Sequence, residues 1–456
     1  MARRQPEWLR VRMYNVGFGD CFLVTVGYTK PNADGRTCHH MLVDLGTTRK
    51  PKSGQSVRQV AKHIDATIRE EVGGKLDVLL ITHRHRDHLG GFGSKQTAEI
   101  IVALQPQLVV RPWTDDPQAS ERPAAELDPS SAEFARHLDG ARTLMEAVEA
   151  RFAAAAMRSS RSWAGRVKKL AEMQVANAEA IATLDEIAKA APRVDYVKAR
   201  DRLDLRSVMP QVKVEILGPP TLAQAPGITT QRSDDPDQFW LRQTLAANEI
   251  ADLSSHGGRL FGDDVFTSVA GPGGLQAARF LLDRIDGQST QRIFQIAEGF
   301  DDAVNNTSIV LLLTVGEKTV LLTGDAQWEN WEYTLERSER SASLKQRLAD
   351  VDIYKVGHHG SRNATPKSLF AMWADGERAN PRTLHSMLST TSGFHGHTAH
   401  TAVPKLTLVD ALRGDGDARW ALHSSEDHLP DAGQVALDLR ADVSDEPFVS
   451  SVVERI

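Results

Sequence analysis

The stretch Leu76-Asp77-Val78-Leu79-Leu80-Ile81-Thr82-His83-Arg84-His85-Arg86-Asp87-His88-Leu89-Gly90-Gly91 decides the reading of this chain. It opens on a nearly continuous apolar run. Runs of that length are usually buried strands. This one ends directly in His83, His85, Asp87 and His88, and Gly90-Gly91 closes the segment. Imidazole and carboxylate together suit zinc, manganese or iron. His83 and His85 are two positions apart, so on an extended loop both can face one ion. Asp87 and His88 can turn toward a second ion beside it.

Two further strands end in residues of the same type. Ser308-Ile309-Val310-Leu311-Leu312-Leu313-Thr314-Val315 turns at Gly316-Glu317-Lys318 into Thr319-Val320-Leu321-Leu322-Thr323, a hairpin that ends in Gly324-Asp325. Val351-Asp352-Ile353-Tyr354-Lys355-Val356-Gly357 ends in His358-His359-Gly360-Ser361. Layered α/β folds hold their sites on loops at strand ends, where a rigid sheet fixes the geometry. Asp325 can bridge two ions. Two ions about 3.5–4 Å apart lower the pKa of a shared water and stabilise both the attacking and the leaving oxygen.

Outward from these segments, the N-terminal part reads as a hairpin. Val11–Val16 and Cys21–Val26 are its strands and Gly17-Phe18-Gly19-Asp20 its turn. A strand over His40–Asp44 follows. Residues 55–72 show helical spacing through Val57, Val60, Ile64, Ile68 and Val72. Residues 117–191 are rich in Ala, Glu, Arg and Leu and predict two or three helices, a helical hairpin inserted between strands. Strand character returns at Val212–Leu217. Residues 221–300 are irregular, with glycines concentrated around 257–274. A helical stretch is expected at about 327–348, and the tail from 383 predicts two or three strands and one helix near 403–413. The chain thus divides into 1–116, a helical insertion at 117–200, and 201–456.

Hydrophobic residues make up 41% and charged residues 25% of the 456, the balance of a globular protein rather than a disordered one. No stretch approaches the roughly 18 apolar residues of a membrane span, so no membrane partner is expected. The start lacks the apolar core and cleavage site of a signal peptide. Two cysteines, Cys21 and Cys38, are too few for a disulfide scaffold, and a reducing cytoplasm is the expected compartment. The net charge of −6 weighs against a polynucleotide binding the whole surface.

His83-Arg84-His85-Arg86-Asp87-His88 resembles the HxHxDH signature of the metallo-β-lactamase superfamily. Five other segments resemble the subgroup typified by the nuclease domain of ComEC/Rec2 competence proteins. They are Val16-Gly17-Phe18-Gly19-Asp20, Leu42-Val43-Asp44-Leu45-Gly46, Asn305-Asn306-Thr307-Ser308, Leu322-Thr323-Gly324-Asp325 and Lys355-Val356-Gly357-His358-His359-Gly360-Ser361, and they appear in the family's order. The insertion at 117–191 has no counterpart in that resemblance, and the membrane channel of the competence proteins is missing. The resemblance implies an α/β fold, the metallo-β-lactamase αββα sandwich, here with a helical insertion. It implies a metal-dependent hydrolase, a phosphodiesterase or nuclease in which a metal-bound hydroxide attacks phosphorus. It also implies two divalent ions, zinc or manganese. His83 and His85 would bind the first, Asp87 and His88 the second, and Asp325 would bridge. One of His358 and His359 would complete the second site while the other touches the scissile group; His359 is taken as the ligand, and His358 with Asp87 as catalytic. Asp44 would orient ligand histidines from behind.

The superfamily often supplies one more histidine between the first cluster and the aspartate. His137 and His256 are the candidates here; without either, the first ion would be weakly held or missing, and the enzyme mononuclear or manganese-dependent. Asn305 and Ser308 are candidates for hydrogen bonds near the site, and His400, in a loop with His395 and His397, for a substrate contact. Arg84 and Arg86 would clamp a phosphate or stand as a solvated pair beside Asp and Glu side chains. Cys38-His39-His40 reads as structural. Residues 151–169 carry six Lys or Arg, no acid, and Trp163, the composition of a solvated helix face or of a nucleic-acid-binding one. The insertion could equally meet a protein partner. The rival functions are hydrolysis of another ester (a lactone, thioester or phosphocholine ester) and a non-catalytic defence or signalling role.

Overall fold

Alternation within Phe22-Leu23-Val24-Thr25-Val26 shows how the sheets are built, because successive side chains of a strand point to opposite faces. Phe22, Val24 and Val26 enter one apolar core, and Leu23 enters another on the far side of the same sheet. A computed structural model describes residues 4–51, 55–70, 73–156, 177–230, 232, 235–240, 303–375, 383–394, 402–425, 428–430, 436–438 and 448–455.

In chain order the strands of the first half are β1 (Pro6–Tyr14), β2 (Phe22–Tyr28), β3 (Cys38–Val43), β4 (Val78–Leu80), β5 (Leu108–Pro112) and β6 (Arg193–Val197). Those of the second half are β7 (Val212–Gly218), β8 (Val310–Val315), β9 (Lys318–Leu322), β10 (Ile353–Lys355), β11 (Leu384–Leu388) and β12 (Trp420–Ser424). The small hairpin β13 (His428–Pro430) and β14 (Ala436–Asp438) and the final strand β15 (Phe448–Arg455) follow. The helices are α1 (Val57–Arg69), α2 (Arg86–Leu89), α3 (Lys95–Ala103), α4 (Pro129–Ala156), α5 (Ala178–Ala190), α6 (Trp328–Glu332), α7 (Ser341–Ala349), α8 (Lys367–Ala374) and α9 (Leu406–Arg413).

Two mixed sheets result. The seven-stranded sheet runs β15-β1-β2-β3-β4-β5-β6 and the six-stranded sheet β12-β11-β10-β9-β8-β7. β1, β2 and β3 pair antiparallel and β3 through β6 pair parallel. β7, β8 and β9 likewise pair antiparallel and β9 through β12 parallel. The chain therefore repeats one six-strand pattern, with β15 added antiparallel beside β1. Val11, Val24, Val78 and Val110 of the first sheet share a core with Ile216, Leu311, Leu313 and Val320 of the second. Helices cover the outer faces. Ile64, Ile101 and Leu184 pack on the first sheet, and Trp331, Leu348, Trp373 and Val409 on the second. A one-residue slip in any strand would exchange its two faces, and each fully buried Val, Leu or Phe contributes about 1.5–3 kcal/mol, so register is strongly fixed.

Several expected elements begin and end differently. α1 starts behind a capping box, in which Ser56 Oγ accepts from the Gln59 N–H and Gln59 Oε1 from the Ser56 N–H. The expected insertion holds α4 and α5, but its last part is β6, which pairs parallel with β5. Arg193 and Asp195 interrupt the apolar pattern there and hid the strand. α5 is no appendage, since Ala180, Ile181, Leu184 and Ile187 lie in the core under the first sheet. The helical stretch at 327–348 is broken by a π-helical turn, Tyr333–Arg337, between α6 and α7. The tail is richer in strands than expected, with five from β11 to β15. Most of the irregular stretch 221–300 lies outside the described residues. Among the described residues no helix is long and apolar enough to cross a membrane.

Candidate metal centre

Beyond Leu80 the chain leaves the sheet, runs extended to His85 and turns through α2. Backbone bonds from two other loops hold it. The Asp20 N–H donates to Asp87 O at 2.8 Å, the Leu45 N–H to His88 O at 2.8 Å, and the Gly46 N–H to Asp20 O at 3.1 Å. Gly46 permits this approach, because a Cβ there would lie 2.4 Å from the carbonyl carbon of Asp87. Equivalent strand ends of the two halves thus converge. Asp44 follows β3 as Asp325 follows β9, and the histidine loop follows β4 as His358 and His359 follow β10.

Asp87, His88, Asp325 and His359 each bring one ligand-type atom into a group whose members all lie within 4.8 Å of one another. His359 Nε2 is 2.9 Å from Asp87 Oδ2 and 3.6 Å from Asp325 Oδ2, and His88 Nε2 is 3.0 Å from Asp325 Oδ2. Asp44, His358 and His359 hold left-handed backbone conformations, with φ of 56°, 44° and 52°. Non-glycine residues adopt that region at a cost, and such strain gathers at functional sites.

A second ring of residues fixes these four. His88 Nδ1 is 2.8 Å from Asp44 Oδ2, and Asp44 also accepts from the Thr82 N–H at 2.8 Å and the Thr82 hydroxyl at 2.7 Å. His359 Nδ1 lies 2.9 Å from Ser389 O. The Asp325 N–H donates to Ser308 Oγ at 3.0 Å. Each metal-site imidazole tied through its outer nitrogen in this way has its ring orientation set.

All of these groups are buried, so their charges are decided by one another. Burial alone would favour neutral His88, but Asp325, Asp44, Asp87 and Asp20 outweigh it and hold its pKa well above the usual histidine range. Burial would likewise raise Asp87, yet His88 and His359 hold it well below the ordinary carboxylate value. Asp325 is depressed in the same way against burial, by His88, Lys355 and His359. Burial lowers His83 well below the histidine norm, with His88 and His85 adding to it and Asp325 and Asp87 offsetting only part. Burial also brings His85 down to about 4.

The donor set fits a divalent cation. Four carboxylates, Asp20, Asp44, Asp87 and Asp325, are buried here, and Lys355 pairs with two of them, Asp20 and Asp325. His88 Nε2 and Asp325 Oδ2 are buried and, though close, make no hydrogen bond of acceptable geometry. Buried polar atoms are normally paired, and two imidazoles with two carboxylates match the preferences of zinc, manganese or iron.

Of the residues expected from the sequence, Asp87, His88, Asp325 and His359 meet. His83 and His85 lie beside them, His83 Nε2 3.1 Å from His85 Nδ1 and the His83 ring 4.1 Å from that of His88, but outside the group of four. His358 differs from its neighbour. Its backbone N–H donates to Asp325 Oδ1 at 3.0 Å, while its partly exposed ring has Nδ1 3.5 Å from Gln327 Nε2. Asp44 and Ser308 take supporting positions, and Asn305 is buried. Arg84 lies beside an acid, in an ion pair with Asp115 at 2.5 Å, and Arg86 is exposed. His137 sits on α4, 4.0 Å from Glu133. Cys38-His39-His40 is structural as read, with His39 Nδ1 2.7 Å from Asp77 and His40 Nδ1 3.0 Å from Thr25 Oγ1. His256, His395, His397, His400 and the basic side chains of 151–169 lie outside the described residues. Roles that sequence reading missed fall to Asp20, Thr82, Lys355 and Ser389. A lysine inside the apolar run Ile353-Tyr354-Lys355-Val356 was the available signal, since buried lysines need partners. No protein-family model matches this chain, and a search of curated proteins finds no match either.

Proposed function

We propose that the chain is a metal-dependent hydrolase of the metallo-β-lactamase type, acting as a phosphodiesterase on a nucleic acid or nucleotide. The observation that carries the reading is the meeting of Asp87 and His88, from one half, with Asp325 and His359, from the other. Two sheets with helices on both outer faces agree with the αββα sandwich that the motifs imply. Asp87, His88, Asp325 and His359 would hold one divalent ion, zinc or manganese. His83 and His85, with Asp325 shared, would hold a second. A bound ion of this kind supplies Lewis acidity and a water of lowered pKa. Asp44 and the Ser389 carbonyl orient the two imidazoles so that each offers Nε2 inward. The partial exposure of His358 supports its contact with the scissile group. Cys21 and Cys38 form no disulfide with each other, which supports a reducing compartment.

A substrate panel tests the reaction class. The expected outcome is turnover of bis(p-nitrophenyl) phosphate and of DNA or RNA strands, with lactone, thioester and phosphocholine esters left intact. Turnover of one of those esters alone would replace the phosphodiesterase reading while keeping the metal centre. Turnover of none, with metal bound, would favour a non-catalytic role.

A further inference from the structure

We propose that Lys355 is a positioning residue that restricts Asp325 to one ligating oxygen, an inference that rests on the metal-centre reading above. The Lys355 side chain is 3% exposed and enters the site from the end of β10. An ammonium has three N–H donors. Lys355 Nζ donates to Gly324 O at 2.6 Å and to Asp325 Oδ1 at 3.1 Å, and forms an ion pair with Asp20 Oδ2 at 2.5 Å. Turning the ammonium toward another partner would cost one of these charge-assisted contacts.

The consequence falls on Asp325. Its Oδ1 accepts from Lys355 and from the His358 N–H at 3.0 Å, which occupies both lone pairs. Its Oδ2 points to His88 Nε2 and His359 Nε2 and makes no hydrogen bond of acceptable geometry. One oxygen is committed to the protein and the other to the ligand group. Lys355 also binds Asp20, whose Oδ2 is 3.7 Å from His88 Nδ1 and whose Oδ1 is 3.8 Å from His359 Nδ1. Without the lysine, two buried carboxylates would share one region with no fixed cation, and Asp325 would be free to swing or to chelate through both oxygens.

The test compares the wild type with Lys355→Met and with the double variant Lys355→Met/Asp20→Asn. The single variant strands two buried negative charges and is expected to fold poorly. The double variant removes the ion pair as a neutral exchange and keeps the question open if the single one fails. Each protein is stripped with chelator and titrated with cobalt(II), reading affinity by calorimetry and geometry by visible absorption. The double variant is expected to fold, to bind cobalt roughly ten- to hundredfold more weakly, the scale set by outer partners of metal ligands, and to show an altered absorption spectrum. Wild-type affinity and spectrum in the folded double variant would overturn the proposal, since Lys355 would then only offset a buried charge. Absence of cobalt binding by the wild type would instead overturn the metal-centre reading on which it rests.

Discussion

His359 Nε2 lies 2.9 Å from Asp87 Oδ2, although 272 residues separate them in the chain. Two strand ends of two different sheets must be in register for that contact to form. His359 presents its ring to the ligand group, whereas His358 presents only its backbone N–H to Asp325. The two histidines are therefore expected to separate in experiment. His359→Ala should lower bound metal and activity together. His358→Ala should keep its metal and lose turnover, by roughly 10²–10³-fold if it acts on developing charge. Metal content measured beside initial rates decides it; equal metal loss in both variants would contradict the assignment.

Asp44 touches no other member of the ligand group but holds His88 Nδ1 and both donors of Thr82. Asp44→Ala should weaken metal binding by about 10–100-fold, the usual cost of losing an outer-shell carboxylate. Competition with a chromophoric chelator measures this. Unchanged affinity would show that the loop needs no support from behind.

Gly46 lies against the backbone of Asp87 and His88, both within 2.5 Å of where a Cβ would stand. Gly46→Ala must push the metal loop outward. Overpacking of this kind typically costs about 1–3 kcal/mol. Urea unfolding should show the loss, with weaker metal binding alongside. A variant as stable as the wild type would mean that the loop moves freely.

Asp77 stands at the other end of β4, 2.5 Å from Arg36 and 2.7 Å from His39. Burial favours its neutral form, but those two partners together hold its pKa below the ordinary carboxylate value. A depressed acid stabilises the fold above its unfolded pKa, about 3.9, and loses that contribution as pH falls through the folded value. Asp77→Asn should therefore cost about 3–5 kcal/mol at pH 7, the range for breaking a buried pair, and the gap from the wild type should narrow below pH 4. Unfolding curves at pH 7 and pH 3 test it. A gap of the same size at both would contradict the ionic account.

Much of this arrangement was legible along the chain. Leu76–Thr82 and Ser308–Thr323 are apolar enough to declare themselves as strands, and ligand-type residues directly after a strand mark a site. The unread parts share a physical cause. β15 pairs with β1 across almost the whole chain, and no local pattern carries such a pairing. β6 hides because Arg193 and Asp195 interrupt it. The choice between His358 and His359 depends on two left-handed backbone angles that neighbouring residue types do not reveal. Asp20 and Lys355 stood inside quoted motifs without a role, since only three-dimensional contact makes them partners.

The central claim is that Asp87, His88, Asp325 and His359 hold a catalytic metal. The most direct measurement is elemental analysis of the purified protein beside bis(p-nitrophenyl) phosphate hydrolysis, with and without chelator, for the wild type and Asp87→Ala. The account predicts stoichiometric zinc or manganese in the wild type, turnover abolished by chelator and restored by metal, and loss of both metal and turnover in Asp87→Ala. A wild-type protein that takes up no metal under any loading condition would contradict it.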